Sequence, residues 1–157
     1  MEIYLQKACL ENCKEIHKMQ VLAFKELLDK YKDYDSNPGA ETFERIKQKM
    51  AQEFTSYYFI CLNGCNIGII RVVELKNDIC RISPMFILPE YQGTGYAQQT
   101  IQKVELIFPN ARSWLLDTIK QEEKLCYLYE KNGYKVTGKE ENINEGMTIV
   151  YYSKQIE

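Results

Sequence analysis

The stretch ILPEYQGTGYAQQTI, residues 87–101, sets Gly93 and Gly95 two apart, between an apolar run and a helix-like run. Glycines let a backbone pass close to a ligand, and a helix start presents free N–H groups and a favourable dipole to an anion. The chemistry this suggests is phosphate binding. A nucleoside-triphosphate loop needs a lysine directly after its last glycine. Here the first lysine after Gly95 is Lys103. A dinucleotide fingerprint needs a small third residue for helix–strand packing. Here that residue is Gln98, and the turn follows antiparallel hairpins rather than a leading βαβ half.

The other reactive residues form no familiar set. Cys9 and Cys13, and Cys61 and Cys65, are each four apart, and the single histidine, His17, is four from Cys13. Zinc would need four ligands converging from such scattered positions. We expect no metal and read the six cysteines as free thiols in a reducing compartment. Net charge is −2, and only four of the 20 basic residues are arginines, so a nucleic-acid partner is not expected. No apolar run approaches the ~20 residues of a membrane span. The N-terminus MEIYLQKACLENCKE has no signal-peptide pattern, which gives a cytoplasmic reading without membrane partners.

The elements that must position these residues can be read from periodicity. Residues 2–7 alternate as a short strand. Leu10, Cys13, Ile16, Ala23, Phe24, Leu27 and Leu28 form one helical stripe, and Thr42 is a natural N-cap for a second helix. YYFICL, residues 57–62, and CNIGIIRVVEL, residues 65–75, flank Asn63–Gly64, a two-residue hairpin signal. ICRISPMFI, residues 79–87, is a third strand, and Pro84 inside it predicts a bulge or a break in pairing. A helix follows the glycine turn, then the strand SWLLDT at 113–118, then a helix at 122–132 ending at Gly133. YKVTGKE and MTIVYYSK close the chain as strands. The order β-α-α-β-β-β-α-β-α-β-β implies a single domain, residues 1–157, of α/β class. Its sheet is mixed and mostly antiparallel, with one parallel pair joined by the crossover at 79–117 and with flanking helices.

Gln92-Gly93-Thr94-Gly95-Tyr96-Ala97 resembles the acyl-CoA-binding turn of the GNAT acetyltransferase superfamily, Q/R-x-x-G-x-G/A. FILPEY resembles the strand end that leads into that turn, and LYEKNGY resembles the family's LYEKxGF. The resemblance is sharp over residues 79–135 and rests on element order before them. It implies a GNAT-like fold whose central parallel strands splay apart, acetyl-CoA as co-substrate, and direct acetyl transfer to an amine. Carried over by position, the backbones of Phe86 and Ile87 would pair with the pantetheine arm, and the Ile87 amide would polarise the thioester carbonyl. The amides of Gln92, Gly93, Thr94, Gly95, Tyr96 and Ala97 would hold the pyrophosphate. Tyr129 would be the general acid to the leaving thiolate, a role its ordinary pKa of about 10 suits. The chain departs from the family pattern at Glu122 and Leu125, where relatives carry asparagine and a small residue, so contacts from that helix to CoA stay open. In some relatives the closing strands form a homodimer.

The general base is left open between Glu74, Asp117 and a water. The acceptor is expected to be a small-molecule amine, with a protein or peptide acceptor, or a CoA sensor without turnover, as alternatives. Asp29, Asp33, Asp35, Glu41 and Glu44 make the region between the first two helices acidic, which would draw a cation. Against this, Arg71 or Arg81 within the strands could pair with an acceptor carboxylate.

Overall fold

A computed structural model describes residues 1–157. The elements follow the expected order: β1 (Tyr4–Lys7), α1 (Cys13–Tyr31), α2 (Phe43–Met50), β2 (Thr55–Leu62), β3 (Cys65–Leu75), β4 (Ile79–Ile87), α3 (Tyr96–Ile107), β5 (Ser113–Ile119), α4 (Glu123–Lys131), β6 (Lys135–Asn144) and β7 (Met147–Gln155). They build one seven-stranded sheet, β1-β2-β3-β4-β5-β7-β6, in which only β4 and β5 run parallel.

The local signals act where expected. Asn63 and Gly64 both take positive φ (50° and 79°), which closes the β2–β3 hairpin. The Thr42 side chain accepts from the Arg45 N–H at 3.1 Å and starts α2. Leu10 does not join the α1 stripe. It lies in a short 3₁₀ turn before the helix and is 48% exposed, because α1 begins only at Cys13. Residue Gly138, with φ 94°, sits at a register shift in β6 and lets that strand run on to Asn144.

Apolar side chains fill both faces of the sheet. Trp114, Ile101, Val104, Tyr134 and Tyr152 gather under α3 and α4. Ile16, Met19, Ile46, Phe59 and Ile69 gather under α1 and α2. A third, small cluster joins Tyr31 to Ile119 and Met147. The Gln99 side chain ties the chain start to α3, accepting from Ile3 N–H at 3.0 Å and donating to the Met1 carbonyl at 2.9 Å.

Candidate active site

The parallel pair β4–β5 is short. Ile79, Cys80 and Arg81 face Ser113, Trp114 and Leu115, and pairing ends there. On the other side of β4, Ile82 pairs with Val72 and Met85 with Ile70, so Ser83 and Pro84 bulge opposite Arg71. Proline cannot donate to a ladder, so Pro84 sits where the pairing breaks, as its position suggested. Beyond this point β4 and β5 diverge and leave a free strand edge.

The β3–β4 register decides which backbone groups reach that edge. Leu88 N–H donates to the Ile67 carbonyl at 2.8 Å, and the register runs on through Gly68–Ile87, Ile69–Phe86 and Ile70–Met85. Hydrogen-bonded and non-bonded pairs alternate along an antiparallel ladder. Leu88 and Phe86 therefore turn their N–H groups to β3, while Ile87 and Met85 turn theirs to the gap. Phe86 differs from its expected role: its backbone faces β3, its side chain packs under α1, and Met85 takes its place at the free edge. The Ile87 carbonyl is capped by the Gln92 side-chain amide at 2.7 Å, so Gln92 brings a side chain as well as an amide to the turn.

Close packing fixes this segment from behind. A Cβ on Gly68 would meet the Phe86 carbonyl oxygen at 2.2 Å, so only glycine lets β4 approach so near. The glycine turn follows at once. Gly93 and Gly95 take φ 81° and 87°, and a Cβ at either would point into open space. Gly95 is the N-cap of α3, no side chain caps the helix, and its first turn holds no acid. The leading N–H groups of α3 are thus free, and an anion is what they suit. The residues present fit a pyrophosphate beside an extended arm along β4.

Tyr129 lies on α4 in the same apolar cluster as Ile87, edge-on to Tyr134 at 6.1 Å and tilted against Tyr152 at 6.3 Å. It is only 7% exposed. Burial, with the Asp117 charge adding, holds its pKa above the ordinary tyrosine value, so it stays protonated. Gly133 takes φ 94° and ends α4 as expected.

Asp117 and Glu74 separate clearly. Asp117 is on β5 past the end of parallel pairing, opposite Tyr151 of β7. It is open to solvent on one side, yet protein around the carboxyl raises its pKa, with Arg81 opposing. Glu74 pairs with Cys80 at the joined end of the parallel pair, exposed and at the far end of β4 from Ile87. Of the two carboxylates, only Asp117 has a charge that acts on Tyr129.

Glu122 belongs to a contact that the sequence did not announce. It accepts from Lys30 Nζ at 2.8 Å and from the Tyr31 hydroxyl at 2.5 Å, tying α4 to the end of α1. Those bonds, Lys30 first, lower its pKa. Leu125 packs partly buried against the core under α4.

The acidic region between α1 and α2 is mostly committed elsewhere. Asp33 is buried and accepts from the Ser36 amide and hydroxyl. Glu41 pairs with Lys49 and accepts from Gln20. Asp29 pairs with Lys25 on the helix surface at 3.6 Å. Asp35 and Glu44 remain exposed. A cavity of about 470 Å³ opens between this region and the β4 bulge, reaching Ser83 and Pro84. No cluster of histidine, cysteine or carboxylates suited to a metal occurs.

Residues 27–156 match the family model of the acetyltransferase (GNAT) domain. The chain belongs to the GNAT acetyltransferase family. No curated protein matches it in sequence. Solved structures share the fold at low identity. The spermidine N-acetyltransferase of Vibrio cholerae, in complex with CoA and spermine, is 17% identical with TM-score 0.77, over 98% of this chain and 95% of that one. An acetyltransferase of Thermus thermophilus is 12% identical with TM-score 0.76, over 99% and 98%. The ribosomal L7/L12 α-N-protein acetyltransferase RimL, in complex with CoA, is 14% identical with TM-score 0.76, over 99% and 95%. This GNAT chain thus shares its fold with structures named for small-molecule and for protein acceptors. No helix is long and apolar enough to cross a membrane.

Proposed function

We propose that this GNAT protein moves an acetyl group from acetyl-CoA to the amine of a small molecule. The observation that carries the reading is the free β4 edge, with the Ile87 N–H turned to the gap and the uncapped start of α3 next along the chain. The amides from Gln92 to Ala97 hold the pyrophosphate, and the edge at Met85 and Ile87 receives the pantetheine arm. Acetyl-CoA supplies the activated thioester when bound.

The chain's own groups do the rest. The Ile87 N–H stabilises negative charge on the carbonyl oxygen as the amine attacks. An alkyl amine with a pKa of about 10 is mostly charged at neutral pH and must lose a proton first. Asp117 takes that proton directly or through water. Tyr129, held protonated by burial, gives its proton to the departing sulfur. The reaction site is cytoplasmic in this reading.

Thermal melts with and without acetyl-CoA, followed by thiol release against a panel of amines, test the proposal. Acetyl-CoA at a hundred times its Kd adds about 2.7 kcal/mol. For a chain of this size that raises Tm by roughly 5–10 °C. Stabilisation with turnover supports the reading. Stabilisation without any turnover assigns the chain to CoA sensing, and the absence of both effects overturns the reading. Turnover on peptide N-termini alone moves the acceptor class to proteins.

A further inference from the structure

The bulge in β4 is held by a buried cation that lacks a counter-charge. Arg71 on β3 is 7% exposed. Its Nε donates to the Thr55 hydroxyl and its Nη1 to the Ser83 carbonyl, both at 2.9 Å, and its guanidinium lies 5.8 Å from the Tyr57 ring centre. No carboxylate comes within ion-pair distance. An arginine does not shed its charge on burial, so such a group is costly unless an anion reaches it.

The surroundings show where that anion goes. Ser83, whose carbonyl Arg71 holds, lines the cavity of about 470 Å³ beside the bulge. Arg45 lines the same cavity, is exposed, and bonds only the Gln48 side chain at 3.4 Å. Burial first, and the Arg45 charge last, hold the Arg71 pKa below the ordinary arginine value, with the Tyr57 and Glu41 charges opposing. Glu41 is itself paired with Lys49. The Tyr57 hydroxyl in the same corner is buried and without a partner. Arg45 stands on the cavity wall with Asp35, Glu41 and Lys49, and Arg71 reaches that wall through its bond to the Ser83 carbonyl. With Glu41 held by Lys49, this corner next to the strand segment that ends at Ile87 suits a substrate with a negative group.

We propose that the acceptor is an amine that also carries a carboxylate, which Arg71 and Arg45 bind at the β4 bulge. The planar guanidinium fork matches a carboxylate. This assignment rests on the transferase reading above and names its substrate class. Polyamines, which bring only positive charge, are then poor acceptors.

The test is acetylation by the full chain of a set of amino acids, including β-alanine and 4-aminobutyrate, against the matching amides and a polyamine series. Acetyl-CoA binding is measured separately by thermal shift. At least one carboxylate is expected to exceed its amide by about tenfold or more in kcat/KM, as in sites built to hydrogen-bond a substrate group. Arg45→Gln, on the exposed wall, is expected to erase most of that preference through KM while leaving acetyl-CoA binding intact. Arg71→Lys keeps the charge but loses the fork, and is expected to narrow the preference too. Amides or polyamines as the better acceptors, or no acetylation of any carboxylate while acetyl-CoA still binds, overturns the assignment. Loss of acetyl-CoA binding in the unmodified chain instead brings down the transferase reading, and this one with it.

Discussion

Gly68→Ala links packing to catalysis at one atom. The new methyl would stand 2.2 Å from the Phe86 carbonyl oxygen and 3.2 Å from both the Ile87 Cα and the Ile60 Cδ1. The oxygen and Cα are backbone and cannot swing aside. β4 must retreat by roughly 1 Å, and overpacking of this kind costs about 1–3 kcal/mol. At roughly 2–4 °C per kcal/mol for a chain of this size, Tm falls by about 2–12 °C. The segment that retreats carries the Ile87 amide, and a misplacement of about 1 Å lowers rate by as much as ~10²-fold. The assay pairs thermal melts with steady-state kinetics against acetyl-CoA. Ile16→Val, at a fully buried position on the inner face of α1, is the control. It should cost about 0.5–1.5 kcal/mol and leave the kinetics alone. A Gly68→Ala protein with normal Tm would refute the packing argument. One that loses stability but keeps normal kcat/KM would refute the link to catalysis.

Other substitutions separate the remaining roles. Tyr129→Phe should keep the fold and acetyl-CoA binding and lower kcat by about 10²–10⁴-fold, read by single-turnover kinetics; an unchanged kcat removes the acid. The raised pKa of Asp117 puts its acid limb in kcat/KM above the ordinary carboxylate value, since only the ionised form accepts a proton. Asp117→Asn should abolish that limb, and a pH profile shows whether it does. Buried Tyr57, Tyr129 and Tyr134 have folded pKa values above the unfolded value, and Cys80 is pushed up to about 11, burial being the main cause in each. Their neutral forms favour the native state, so this stability is complete below the unfolded pKa of each, about 8.5 for the thiol and 10 for the tyrosines, and is lost as pH rises through the folded ones. Urea midpoints should hold up to about pH 8 and then fall, most steeply above 10. A midpoint that rises through that range contradicts the burial of these groups.

Much of the fold was legible because strong local signals stand at its corners. Asn63–Gly64, Thr42, Pro84 and Gly133 each have one favoured backbone role, and each takes it here. The glycine turn was legible for the same reason. What stayed hidden depends on partners distant in the chain. Glu122 meets Lys30 and Tyr31 across 92 and 91 residues, and nothing in its own neighbourhood signals that. The acidic look of residues 29–44 dissolved because Lys49 and Ser36 absorb Glu41 and Asp33. Choosing between Phe86 and Met85 needed the ladder's phase, which a sequence pattern of period two does not carry. Leu10 failed because periodicity marks a face but not the residue at which a helix starts.

The three residue pairs that join β4 to β5 make the sheet a book with a narrow spine. Four strands lie on one page and three on the other, and past the spine no backbone hydrogen bond between β4 and β5 holds the pages at a fixed angle. Whatever fills the gap becomes the missing rungs. Amide hydrogens near the open end of β5 and along Met85–Ile87 therefore report on the hinge, and their exchange should slow when the gap is bridged. A protein of this design spends part of its binding energy on its own cohesion.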